Sequence, residues 1–279
     1  MAGLIVGIVA LPLAIAFGIA SGVSPSQGIL TAIVGGFIVS ALGGSRVQIG
    51  GPTGAFIVII YGIVSNPALG LSGLMIATML AGLFLILLGA CRLGTIIKFI
   101  PYPIVVGFTS GIAVTIFTTQ IKDLFGLTIE GGLPGDFISK WGVYLQNFAS
   151  IDWATTAVGV LSVLIIILTP KISKKIPGSL VAIILMTVAV YFLNSYTKFH
   201  VDTIYDQFGE IKAGIPALTV PDISWENVKS LFPTAMVIAV LGAIESLLSA
   251  TVADGVCGDH HNSNQELIGQ GVANLCTPL

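Results

Sequence analysis

Between Ser230 and Ala253 the chain runs for 24 residues with a single charge, Glu245. A helix needs about 20 apolar residues to cross about 30 Å of hydrocarbon, so this run reads as a membrane span. An ionised carboxylate at mid-depth costs at least about 2.5 kcal/mol on insertion scales, and such residues as a rule face a polar cavity and serve transport or proton transfer. The plainer alternative is a protonated, hydrogen-bonded packing residue.

The rest of the chain repeats the pattern. Only 9% of its 279 residues are charged, where soluble domains carry about 25%. Arg46 is the only charge before Arg92, and Phe99–Ile121, Trp153–Pro170 and Ile176–Thr197 are uncharged. Thirty-four glycines suit helices that approach closely within a membrane. The net charge of −2 and the absence of a basic patch give no footing for nucleic acid. Three cysteines, Cys91, Cys257 and Cys276, have no metal-ligand spacing and no disulfide framework, and are read as buried packing residues. No cleavable signal pattern stands at the N-terminus. Met1 opens on one apolar run and Leu279 falls within another, so both are expected to be cut ends of a larger protein.

Nine apolar segments are read at about 2–20, 27–44, 47–64, 69–91, 96–120, 152–170, 177–196, 230–253 and 265–279. The interruption at 121–151 holds Trp141, Tyr144 and Phe148 at near-helical spacing, which fits an interfacial amphipathic segment or an ordinary loop. The polar stretch 197–229 has Tyr196, Tyr205 and Trp225 about it as interface anchors. Short loops holding Arg46, Arg92, Lys98, Lys171, Lys174 and Lys175 fall on one side, which favours a cytoplasmic N-terminus in a cell (inner) membrane.

The third segment is irregular. Val47-Gln48-Ile49-Gly50-Gly51 favours extended chain, and Pro52 suits the first position of a helix. From Pro52 to about Val64 a helix reaches only about 20 Å, too short to span. This predicts a half-helix that begins at membrane depth and turns free amides and about half a positive charge toward a cavity, an arrangement suited to anions. A proline-kinked full helix starting at Arg46 is the alternative. In the first segment Pro12 should kink the helix, and Phe17 could wall the same cavity.

In the eighth segment Glu245 and Ser249 share a helix face, with Ser246 beside them. Ala235, Ala239, Gly242, Ser246, Ser249 and Ala253 read as a small-residue stripe for close packing. A carboxylate with two hydroxyls can hold a proton or Na⁺ and so offset the charge of an incoming anion. Asp254, Asp259, His260 and His261 follow and are read as a solvated loop without a metal, since adjacent histidines rarely converge on one ion.

These residues resemble the sulfate permease (SulP) family of anion transporters, bacterial type, over nearly the whole chain. The resemblance lies in Ala2-Gly3-Leu4-Ile5-Val6-Gly7 through Ala16-Phe17, in Gly51-Pro52-Thr53, in Ala243-Ile244-Glu245-Ser246-Leu247-Leu248-Ser249-Ala250 and in Asn264-Gln265-Glu266-Leu267-Ile268-Gly269-Gln270-Gly271. It implies an all-α polytopic membrane protein with a 7+7 inverted-repeat fold, of which this chain holds the first seven-helix repeat (1–196), a polar extracytoplasmic loop (197–229) and the truncated start of the second repeat (230–279). It further implies an elevator-like motion of a core against a gate, a homodimer, and a cytosolic STAS domain that this chain does not contain. Substrate then falls to Phe17, Thr53, Gly54 and Ser246, and the coupling proton or Na⁺ to Glu245 and Ser249, with no metal or other cofactor. Leu13 stands where many members have a glutamine, which argues against a sulfate specialist. The anion is expected to be sulfate, bicarbonate or a dicarboxylate. A nucleobase symporter of the same fold and a non-transporting accessory subunit are the competing readings. An enzyme is not expected, because Glu245 has no catalytic partner at membrane depth and all three histidines lie in loops.

Overall fold

The computed structural model describes residues 2–95, 102–129, 133–134, 136–173, 176–211, 221 and 223–278. Among these the chain is all helical, and each of the nine apolar segments contains helix. In order they are α1 (Ala2–Ala20), α2 (Pro25–Leu42), α3 (Ile57–Val64), α4 (Gly70–Ala90), α5 (Tyr102–Phe125), α6 (Phe137–Gln146), α7 (Trp153–Ile172), α8 (Gly178–Tyr196), α9 (Ile204–Phe208), α10 (Trp225–Cys257) and α11 (Ser263–Cys276). Six of them are long and apolar enough to cross a membrane. Lys98, Lys174 and Lys175, which weigh in the predicted orientation, lie outside the described residues.

Local chemistry sets the helix ends. Ser24 and Gln27 form a capping box with Pro25 in the first turn of α2. Asp136, Asp152, Ser224 and Asn262 accept backbone N–H groups at the starts of α6, α7, α10 and α11. Gly258 closes α10 at φ 69°, a left-handed position that a side chain would strain. Helix α1 continues through Pro12. At 33 residues α10 starts inside the predicted polar loop and is about 50 Å long, more than a bilayer core requires.

Contacts divide the chain into two compact units. One comprises residues 1–12 and 110–211. In it α7 packs on α8. The segment read as amphipathic is helical: Tyr144 is buried with Ile121 and Leu127, Trp141 packs beside it, and Phe148 stays half exposed. Burial, and then the charge of Asp123, push the Tyr144 phenol up to about 12. The expected anchors Tyr196 and Tyr205 are exposed.

The other unit comprises residues 13–109 and 212–279. Its core joins α3, α4, α10 and α11 through Ile63, Ile76, Ala77, Ala81, Leu85, Leu231, Ala239, Ala243, Leu247 and Leu267. Glycines allow the close approaches. A Cβ at Gly82 would stand 2.7 Å from the Gly271 carbonyl oxygen, and one at Gly28 would stand 2.4 Å from that of Ala14. The stripe on α10 is real but turns differently from its prediction. Ala235, Ala239, Ser246 and Ala250 are buried, whereas Ser249 is exposed and Ala253 only half-buried. At about 100° per residue, the step from 246 to 249 rotates off the face that the step to 250 retains.

The cysteine reading is corrected. All three are exposed. Cys91 caps the end of α4, and Cys257 and Cys276 are the last residues of α10 and α11.

Candidate functional site

The irregular stretch after α2 has no regular secondary structure from Gln48 to Thr53, and then enters a short 3-10 turn, Gly54–Phe56, that continues into α3. Together the two helical pieces span about 18 Å, so the half-helix is present and the kinked full helix is not. Its start is Gly54 and not Pro52. Thr53 is the capping residue, in extended conformation, and its hydroxyl accepts from Ala55 N–H at 3.4 Å. Gly54 is buried, as a backbone threaded between helices requires.

The same Thr53 hydroxyl donates to Glu245 Oε1, from α10. Glu245 Oε2 is buried with no partner among the described residues. Phe56 adds an aromatic wall that sequence reading did not single out, its ring tip 3.7 Å from a Cβ built at Gly242, one turn before Glu245. Phe17 on α1 is partly buried, and Leu13 is exposed. Ser249, assigned to the coupling ion, is exposed.

Ser246 has a role different from the one its sequence suggested. Its hydroxyl donates to Glu266 Oε1 at 2.9 Å. It accepts from Gln48 Nε2 at 3.1 Å and from Gln270 Nε2 at 3.2 Å. A hydroxyl has one hydrogen and two lone pairs, so all of its capacity is engaged within the protein. Ser246 acts here as a tether between α10, α11 and the segment that leads to the half-helix.

Glu266 is the residue that sequence reading missed. It is fully buried. Oε2 accepts from Gly44 N–H at 2.8 Å and Ser45 N–H at 3.3 Å, and Oε1 accepts from Ser246 and, at 3.4 Å, from Gln270. Gln265 Nε2 also donates to the Leu42 carbonyl at 2.6 Å. The start of α11 therefore holds the end of α2 and the chain leading to the half-helix. The signal was available: one acid with a glutamine four residues later on an apolar helix.

Past α10, the predicted solvated loop is partly packed. His261 Nδ1 lies 2.6 Å from Asp254 Oδ2, and its backbone N–H donates to the same oxygen at 3.0 Å. The two side chains are 9% and 19% exposed. The pair pins the turn between α10 and α11, because a carboxylate in the last turn of one helix can reach the residues that precede the next. Arg46 and Asp259 make only an exposed contact of 3.8 Å. Among the described residues no group of three metal-binding side chains converges.

Apolar helices around a half-helix faced by a carboxylate define a multi-pass membrane protein of the helical type. The chain belongs to the sulfate permease family, whose model matches residues 1–279. It is 43% identical to YvdB of Bacillus subtilis, provisionally named a sulfate transporter, over all of this chain and 52% of that protein. It is 34% identical to the bicarbonate transporter BicA of Picosynechococcus, over 99% of this chain and 49% of that protein. The chain thus spans about half the length of these curated relatives. The transmembrane domain of a cyanobacterial BicA superposes with a TM-score of 0.83 at 32% identity, covering 99% of this chain and 70% of that one. Murine Slc26a9, an anion transporter solved in the inward-facing state, has a TM-score of 0.82 at 19% identity, over 99% of this chain and 49% of that one, and so shares the fold.

Proposed function

We propose that the intact protein is a secondary transporter of a small inorganic or carboxylate anion, of the sulfate, bicarbonate or dicarboxylate class. The observation that carries this reading is the hydrogen bond from Thr53, the residue capping the half-helix, to Glu245, the lone acid in the apolar run. An anion held at the half-helix start by backbone N–H groups would lie beside that acid. Two like charges about 5 Å apart repel by about 3 kcal/mol at an effective dielectric constant of about 20. A proton or Na⁺ on Glu245 removes this repulsion, which couples the two fluxes. Ser249, one turn along, offers a further oxygen to the coupling ion. Phe17, Thr53 and Gly54 frame the substrate, and Ser246 positions them from behind.

The family's architecture fills in the remainder of the reading. Residues 1–196 form a first repeat and 230–279 begin a second, the substrate moves by an elevator-like displacement, and the protein is a homodimer with its N-terminus cytoplasmic. The names of the curated relatives support the anion class.

The test is uptake of labelled sulfate, bicarbonate, fumarate and uracil by proteoliposomes of the intact protein under imposed proton or Na⁺ gradients. Uptake of an anion, driven by one gradient and uncoupled from it in Glu245→Gln, is the expected result. Uptake of uracil alone would establish a nucleobase symporter, and no uptake at all an accessory role.

A further inference from the structure

Helices α7 and α8 form a hairpin that is tight at one end and open at the other. Gly178, the first residue of α8, sits against α7: a Cβ there would stand 2.7 Å from the Ile166 carbonyl oxygen and 3.0 Å from its Cα. Toward the start of α7 the two helices leave a groove of about 360 Å³. Ala157 and Leu161 of α7 and Ala189 and Leu193 of α8 line it, with Trp153 and Phe199 at its mouth. Each pair is four residues apart and so shares a helix face, and the alanines keep the floor low.

The mouth is held in place by hydrogen bonds. The Asn194 side chain donates to the Val201 carbonyl and accepts from the Val201 N–H, each at 2.9 Å. Thr197 Oγ1 accepts from the Phe199 N–H at 3.1 Å. These bonds fold the chain back at the end of α8 and fix Phe199. Exposed Trp153 begins α7 and exposed Tyr196 ends α8, and aromatics so placed mark the level of lipid headgroups.

From Trp153 to Leu161 is about 12 Å of helix, close to the about 15 Å of hydrocarbon in one leaflet. Spread over that length, the groove averages about 6 Å across. A further helix, from elsewhere in the intact protein or from a second copy, is about 10–12 Å wide with its side chains and does not fit. Among the described residues that line the groove, only Trp153 carries an N–H or O–H group, so a polar ligand finds no partner along its length.

We propose that this groove binds one acyl chain of a bilayer glycerophospholipid, whose headgroup lies beside Trp153 and Phe199. The chain supplies contacts that α7 and α8 do not give each other at this end. The site lies wholly within the unit of residues 1–12 and 110–211 and is independent of the anion-transport reading.

The test is made on the intact protein, reconstituted in phosphatidylcholine that carries a photoactivatable diazirine partway along one acyl chain. After irradiation, adducts mapped by mass spectrometry are expected to concentrate on Leu161 and Met186, in the groove, over Val188, which is exposed on another face of α8. Labelling no denser in the groove than at Val188 overturns the proposal, since it marks ordinary surrounding lipid. So does a groove without adducts, which marks a protein segment as the occupant. This arm uses the wild-type protein alone and decides whether or not a variant folds. In native mass spectrometry after a detergent wash, the wild type should retain one phospholipid per protomer. Ala189→Phe, which fills the floor, should lose it, and Val188→Phe, of similar added bulk, should keep it. Equal retention by both variants overturns the proposal as well.

Discussion

Thr53 and Glu245 are 192 residues apart in the chain, and the hydroxyl of the first is bonded to the carboxylate of the second. The residue that caps the half-helix also steadies the lone acid of the apolar run within α10. Thr53→Val keeps the shape and removes the donor, leaving both Glu245 oxygens without a partner. A hydrogen bond to a charged group contributes about 1.5–3 kcal/mol, so gradient-driven uptake should fall by at least about tenfold. Thr53→Ser should restore most of it. Equal rates in the valine and wild-type proteins would remove Thr53 from the site.

Glu266 should be the most damaging polar position in the second unit. Glu266→Ala strips partners from Gly44 N–H, Ser45 N–H, Ser246 and Gln270 at once. A buried donor left without its acceptor costs about 1–3 kcal/mol. Thermal unfolding in detergent should show a marked drop in midpoint, larger than for Ser249→Ala, whose side chain is on an exposed flank.

Gly82→Val tests the contact of α4 with α11. Any Cβ there meets the Gly271 carbonyl oxygen at 2.7 Å, and backbone cannot swing aside as a side chain can. Overpacking of this kind costs about 1–3 kcal/mol. The variant should unfold at lower temperature, whereas Gly51→Ala, with open space around its Cβ, should not.

Asp136 gives a pH dependence outside the spans. Its carboxylate accepts from the Ser139 backbone N–H and hydroxyl, each at 2.9 Å, and these bonds hold its pKa below the ordinary carboxylate value. A group whose folded pKa is depressed stabilises above its unfolded pKa, about 3.9, and the contribution is lost as pH falls through the lower folded value. The protection of the Phe137–Lys140 amides, measured as exchange relative to the intrinsic rate at each pH, should therefore fall below about pH 4. Asp136→Asn, which retains an acceptor, should exchange without that step.

The membrane class and the broken third segment could be read from composition and spacing alone. Lipid cannot satisfy backbone or charge, so long uncharged runs force helices, and Gly-Gly-Pro-Thr-Gly cannot continue one. Glu245 stood out for the same reason, as a charge with no local compensation. The true burial of α10 was less legible, because a face is chosen by the neighbours that cover it: Ser249 lies within the predicted stripe and is exposed, while Ala250 is buried.

What the sequence determined by itself is therefore whatever depends on a residue and its near neighbours: which segments enter lipid, where a helix must start late, and which charge is out of place. What only tertiary structure decided is who meets whom. Glu266 with Gly44, Gln48 with Ser246 and Thr53 with Glu245 are separated by 222, 198 and 192 residues. Hydrogen bonds are short-ranged and directional, so pairs that far apart become partners only once packing of α11 and α10 against the rest of the unit has brought them within 3 Å or so of each other.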